Sequence, residues 1–255
     1  MTTGFLIFTL YAPLASWGEI AVGEDRGSWD RPSRSAVLGL LAAALGITRQ
    51  DHDGHDALDS GYGLAVRLDA GGTSLIDYHT AQTAAESEIK KAFGKQRPST
   101  RRAFLSVDER QTILSRRELR EDSLSTAAVW ACEGARWPLD ALKRALERPF
   151  FTLYAGRKAN VFGLPLAPAI VEAETLSEAF FQRRPAPNGI DLSPLKPRRQ
   201  SWGREVAHDP LPQGVVSGLK KVRTETRRDS SPQRERWQFG ERAVAIGLLP
   251  EEAGL

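Results

Sequence analysis

The chain has 255 residues, 41% of them hydrophobic and 26% charged, the composition of a folded domain large enough to bury a sizeable core. No apolar run reaches the roughly 18 residues of a membrane helix. No basic segment leads an apolar stretch at the start as in a secretion signal, and a single cysteine, Cys132, excludes an internal disulfide. A reducing cytoplasm is therefore expected, with Cys132 a buried thiol in its apolar surroundings.

In chain order, "GFLIFTLYAPL" is a continuous apolar run broken by Pro13. It reads as a strand buried on both faces. A Gly- and Trp-containing loop leads to "RPSRSAVLGLLAAALG", residues 31–46. Here Ser33 or Ser35 can cap a helix whose apolar face is Val37, Leu38, Leu40, Leu41 and Leu45, with Gly46 ending it. "DHDGHD" reads as a polar turn. "GYGLAVRLDA" alternates like a half-buried strand, Gly71-Gly72 turns, and "SLIDYHTAQ" is a third strand.

From about Thr83 to Arg117 no amphipathic period holds, beyond a short helix over residues 84–93. The segment reads as a basic excursion from the fold. "SLSTAAVWACEG" is another inner strand, and "WPLDALKRALERP" is a helix opened by Pro138 and stopped by Pro149. "FFTLYAGRKANVFGLPLAP" is a Gly-punctuated loop or short strand, followed by "AIVEAETLSEAFF". The tail from Arg183 is rich in Pro and Arg, with short strands expected around "SWGREVAHD" and "RERWQFGERAVAIGL". Strand, helix, strand, excursion, strand, helix, strand is the split β-α-β order of an α+β, ferredoxin-like (RRM-like) body.

The net charge of +3 hides an uneven distribution. Residues 86–120 hold ten Lys/Arg against five Asp/Glu, and residues 183–236 hold thirteen against six. The remainder is acidic. Two basic segments on an acidic body fit a polyanionic partner, or solvated basic loops.

Enzyme motifs are sparse. No phosphate-binding Walker loop, dinucleotide glycine fingerprint, H-E-x-x-H or paired C-x-x-C is present. His52 and His55, among Asp51, Asp53 and Asp56, read as a solvated loop, since two imidazoles alone do not close a metal site. Neither metal nor cofactor is expected. Tyr78-His79 is the one adjacent acid–base pair that a metal-independent ribonuclease could use; a strand-end pair that packs or faces water is the alternative. Gly156 with Arg157-Lys158 suits a phosphate cradle or an ordinary surface turn.

"PLASWG", "RPSRSAVLGLLAAALG", "SRRELREDSLSTAAVW" and "LYAGRKANVFGLPLAP" occur in that order between about Phe5 and Pro168. Together they resemble the CasD family of type I-E CRISPR Cascade, with a weaker echo in "RRDSSPQRERWQFGERAV". The resemblance implies a ferredoxin-like body over residues 1–182, a protruding basic hairpin thumb at about 83–117, and a small basic C-terminal β element over 183–255 packed on the body. It implies a non-catalytic subunit that holds the 5′ handle of the CRISPR RNA and caps the backbone of an antiviral ribonucleoprotein. The implied partners are CRISPR RNA, a CasC-like backbone subunit and a CasA-like large subunit, with target DNA reached through the complex and no membrane. Precursor cleavage by the chain itself is the alternative activity. On this reading Trp17, Arg31, Ser33, Arg34, Ser35, Arg101, Arg102, Arg116, Arg117, Gly156, Arg157 and Lys158 face RNA. "RPSRS" becomes a helix mouth whose hydroxyls, free amides and dipole meet phosphate.

Overall fold

The computed structural model describes residues 2–96, 98–106, 110–183, 192, 195, 204–233 and 238–251. Its apolar opening run is strand β1 (Thr3–Ala15). Leu6, Phe8 and Leu10 enter one core cluster, while Phe5 and Ile7 enter another on the opposite face. Burial on both faces is why the run shows no polar alternation.

A short finger follows, made of β2 (Trp17–Gly18), β3 (Asp25–Arg26) and β4 (Ser28–Trp29). Helix α1 (Arg34–Leu45) starts at the Ser33 cap, whose Oγ accepts from the Ala36 amide at 3.2 Å, and ends at left-handed Gly46, φ 78°. Helix α2 (His52–Gly61) replaces the expected polar turn. Asp51 caps it by accepting from the Gly54 amide, and Leu58 anchors it in the core. A cap plus one buried leucine suffices here, which a six-residue polar window does not display.

Strand β5 (Tyr62–Ala70) is buried at all nine positions, not on one face. Arg67 and Asp69 lie within it as a buried pair, Nε to Oδ1 2.6 Å, with Thr126 donating to Asp69 and Arg67 donating to the Phe180 carbonyl. Burial holds the Asp69 carboxyl above its ordinary pKa even against the Arg67 charge.

Strand β6 (Thr73–Ala84) pairs antiparallel with the first half of β7 (Arg110–Ala131), from Thr73↔Glu121 to Ala84↔Arg110. Helices α3 (Glu86–Phe93) and α4 (Arg101–Phe104) close its far end around Ala84 and Ile89. The basic excursion is therefore a two-stranded ribbon that starts ten residues earlier than the sequence suggests and is regular strand well before Arg117. Its side chains are mostly exposed on both faces, so neither period registers. Arg97 lies outside the described residues.

The second half of β7 runs through the core to Trp130. Cys132 just beyond it is exposed, a correction to the buried thiol. The Cys132 amide donates to the Gly61 carbonyl, and its side chain is left at a turn. Helix α5 (Leu139–Glu147) packs Leu142 and Leu146 against α1; β8 (Ala169–Ala173) and α6 (Leu176–Phe181) follow. Then come β9 (Glu205–His208), β10 (Lys220–Gln233) and β11 (Gln238–Leu248), with β10 and β11 a long hairpin where short strands were expected. Much of the expected Arg-rich tail, 184–191, 196–203 and 234–237, lies outside the described residues.

The main sheet has the order β10-β11-β9-β5-β7-β1-β8, and every neighbouring pair on this path is antiparallel. Helices α1 and α5 cover one face, and α6 the other. The C-terminal strands extend the same sheet through β9–β5. Among the described residues no helix is long and apolar enough to cross a membrane.

Candidate nucleic-acid interface

The arginines expected to face RNA divide into two sets. The first lies at the α1 mouth and is turned inward. Arg31 is 3% exposed and pairs with Asp30, Nε to Oδ1 3.0 Å, and with Glu205. The Arg34 amide donates to Asp229 Oδ2 at 2.9 Å. Its guanidinium reaches Asp209, Asp59 Oδ1 at 3.3 Å and the Tyr62 carbonyl at 3.0 Å. Arg242 of β11 binds both acids, Nε to Asp229 Oδ1 and Nη1 to Asp209 Oδ1, each 2.6 Å. Ser33 and Ser35 share a hydrogen bond of 3.0 Å.

So the mouth does carry capping hydroxyls and an anion on its first amides, as the sequence suggested. The anion on the Arg34 amide is the chain's own Asp229, on β10 and 195 residues away, while Asp209, just past β9, and Glu205 of β9 meet the guanidiniums of Arg34 and Arg31. Arg227 completes the closure by lying 4.5 Å over the Trp29 ring. Burial, opposed by Asp30's pull but reinforced by the Arg31 charge, lowers the Arg227 pKa. Burial alone would raise the Asp30 pKa; the Arg31 hydrogen bond and the charges of Arg31, Arg227 and Arg120 more than reverse it, and the net shift is downward.

Trp17 is also internal. It is 1% exposed, its amide donates to Ser28 Oγ and its indole Nε1 to Ser123 Oγ. Gly156 has φ 85°, and a Cβ there would sit 1.8 Å from the Ser16 carbonyl oxygen. The close backbone approach that Gly156 permits is to its own chain.

The second set faces outward. Ser16 N to Ala155 O ties the 150–168 loop to the end of β1, so that Arg157 stands beside the ribbon base. Burial and the Arg117 charge lower the Arg157 pKa, with Asp77 opposing. Arg117 is opposite Asp77 in the ribbon and alongside Arg26 of β3; Arg116 is alongside Asp25 and donates its amide to the Glu24 carbonyl. Arg116 and Lys158 are exposed, Arg117 and Arg157 half-buried. None of these four takes part in an ion pair among the described residues. Arg101 and Arg102 are exposed in α4, at the far end of the ribbon, ~20 Å of strand away.

Arg26 was missed by sequence reasoning, because a two-residue strand has no pattern. Phe150, Phe151 and Tyr154, 74%, 41% and 39% exposed, were read only as part of a loop. The signal for them was present: residues 149–168 contain aromatics and cations but no Asp or Glu. Aromatic faces beside cations can stack bases while the cations hold phosphates.

Tyr78 and His79 are both exposed, opposite Arg116 and Ser115. As strand neighbours they point to opposite faces. His55 is buried in α2 with Nε2 3.1 Å from the Thr48 carbonyl oxygen, which corrects its reading as a solvated loop residue. Among the described residues no group of three His, Cys, Asp or Glu is placed to hold a metal.

Comparison with known proteins fits this geometry. The family described as CRISPR-associated protein (Cas_Cas5), in its Cas5d form, matches residues 5–245. The CRISPR system Cascade subunit CasD of Escherichia coli (strain K12) is 29% identical over 194 residues, 73% of this chain and 80% of that protein. A chain from a solved CRISPR RNA-guided surveillance complex superimposes with a TM-score of 0.57 at 23% identity, covering 98% of this chain and 92% of that one. A second solved Cas protein gives 0.55 at 23% identity, covering 97% and 96%. The mixed α/β, mostly antiparallel architecture is thus that of these structures. With nearly the whole chain matched, the protein belongs to the Cas5 family of CRISPR-associated proteins.

Proposed function

We propose that the protein is a non-catalytic RNA-binding subunit of a CRISPR surveillance complex that holds the 5′ handle of the CRISPR RNA. One observation carries this reading: Arg117 at the ribbon base and Arg157 of the 150–168 loop lie near enough for the Arg117 charge to act on Arg157, Asp77 only partly offsets it, and neither arginine forms an ion pair among the described residues. Like charges held together cost energy unless an anion joins them. Lys158 follows Arg157 in the loop, Arg26 lies alongside Arg117, and Tyr154 precedes the Ala155 tie to Ser16, while Arg116 projects from the other face of the ribbon.

The order β5-β7-β1-β8, with crossovers through α1 and α5, supports the ferredoxin-like body. The β6/β7 ribbon suits the role of thumb, over 73–121 rather than 83–117, with Arg101 and Arg102 at its tip positioned for the guide beyond the handle. We take 1–182 as the body and 183–255 as the C-terminal element. CasC-like and CasA-like subunits are the protein partners, in a cytoplasmic complex that meets target DNA indirectly. Within the RNA interface we keep Arg101, Arg102, Arg116, Arg117, Arg157 and Lys158. Arg31, Ser33, Arg34, Ser35, Trp17 and Gly156 support it from behind.

Metal-free cleavage needs a base, an acid and a cation converging on one phosphate. Tyr78 and His79 diverge. The test is repeat RNA incubated with excess protein in chelator, with Tyr78→Phe and His79→Ala alongside. Bound but uncut RNA in all three is expected. A specific cut in the wild type that either substitution removes would replace this reading with the precursor endoribonuclease.

A further inference from the structure

The α1 mouth is built like an anion site yet is filled from within. Its capping serine, the Arg34 amide and four arginines, Arg31, Arg34, Arg227 and Arg242, surround Asp229 and Asp209. Asp229 lies on β10 and Asp209 just after β9, and they are 7% and 5% exposed. The packing around them is incomplete. A cavity of about 20 Å³ remains among Arg31, Ser33, Arg34, Arg227, Asp229 and Arg242. Two of the guanidiniums lining it keep a buried N–H with no partner among the described residues, Arg31 Nη1 and Arg227 Nε, on residues 3% and 8% exposed. Space for about one water fits that volume, and a phosphate does not.

Unpaired buried donors on cations are costly, and they are costly here only while the carboxylate occupies the mouth. A phosphate has more acceptor oxygens than Asp229 and could meet both donors as well as the Arg34 amide. It could enter only if β10 lifted, because Asp229 is carried by that strand. β10 is the edge of the sheet, paired on one side only. Its pairing with β11 shifts register at Asp229 itself, between Arg227 and Ser230, and again on either side, between Lys220 and Arg223 and between Ser230 and Gln233.

We propose that the β10–β11 hairpin is a strap closed over a phosphate-binding site at the α1 N-terminus, with Asp229 as built-in occupant and an RNA phosphate as its competitor. The choice of competitor rests on the RNA-binding reading; the site itself does not. An intramolecular occupant acts at an effective concentration of about millimolar. Removing it should therefore strengthen phosphate binding about tenfold or more.

The experiment compares wild type, Asp229→Ala and Asp229→Asn for binding of inorganic phosphate at matched ionic strength, and separately of a short single-stranded RNA. Asp229→Ala should gain affinity for phosphate at least tenfold. Asp229→Asn, which can still accept from the Arg34 amide through its carbonyl oxygen, should gain less. In the wild type, saturating phosphate should speed hydrogen exchange across 220–248 while leaving β1 unchanged. This arm needs no variant and holds even if Asp229→Ala fails to fold. Unchanged phosphate affinity in folded Asp229→Ala, or unchanged wild-type exchange at saturating phosphate, overturns the strap. A gain for phosphate but not RNA supports the site and removes RNA as its occupant.

Discussion

Arg34 and Arg157 are the same residue type in two regions that the sequence presents alike, each in a short basic stretch beside a helix or glycine. Arg34 meets three carboxylates, from Asp59, Asp209 and, through its amide, Asp229. Arg157 forms no ion pair among the described residues and feels the Arg117 charge, with Asp77 opposing. The first holds the C-terminal strands to the body; the second is the one we propose for a partner. What separates them is the position of acids far away in the chain, which only the fold determines.

Breaking the inward set should show in stability. Arg34→Met leaves Asp209 and Asp59 facing a buried site with less compensation, and loss of one partner of such a pair costs about 3–5 kcal/mol. Urea unfolding should register that loss. A variant as stable as wild type would mean the mouth is open in solution.

Breaking the outward set should show in binding. Arg117→Glu with Arg157→Glu should change stability by no more than about 1 kcal/mol, the like charge set opposite Asp77 included. RNA affinity should fall about tenfold or more, and the slope of log affinity against log salt should shrink by roughly 1.4, two contacts at ~0.7 each for a single strand. Equal affinity and slope would detach this patch from RNA.

Ser33→Ala sharpens the boundary between the two sets. Losing the cap should cost about 1 kcal/mol while leaving the salt slope of RNA binding unchanged. A changed slope would put Ser33 back in the interface.

The smallest effect concerns acid. The folded pKa of Asp30 lies below the ordinary 3.8, so its pairing stabilises the fold above that pH and is lost as pH falls through the lower folded value. Asp30→Asn should therefore flatten the acid limb of a stability–pH curve, with little change in that limb's shape for Arg117→Glu.

Patterning carried much of the body. β1, α1 and α5 were legible because buried apolar residues, a serine cap, Gly46 and Pro138 are local signals. α2 was not, since its one buried leucine cannot outweigh five acidic or histidine neighbours in a short window. The ribbon hid because strands exposed on both faces have no period, and β10 because its buried residues are Arg227 and Asp229 rather than apolar. At the site, a basic cluster was visible, but its sign of use was not. Nothing local in "RPSRS" announces Asp209, Asp229 or Glu205. The burial of Trp17 is hidden for the same reason: Ser123, which accepts from its indole, is 106 residues away.

The most direct test of the central claim is a chemical footprint of arginine and lysine reactivity, taken on the protein alone and with its CRISPR RNA bound. Arg117, Arg157 and Lys158, with Arg116 on the other face of the ribbon, should react in the free protein and be protected when RNA binds. If RNA binds and all four stay as reactive as before, the outward patch is not the RNA interface and the account is wrong.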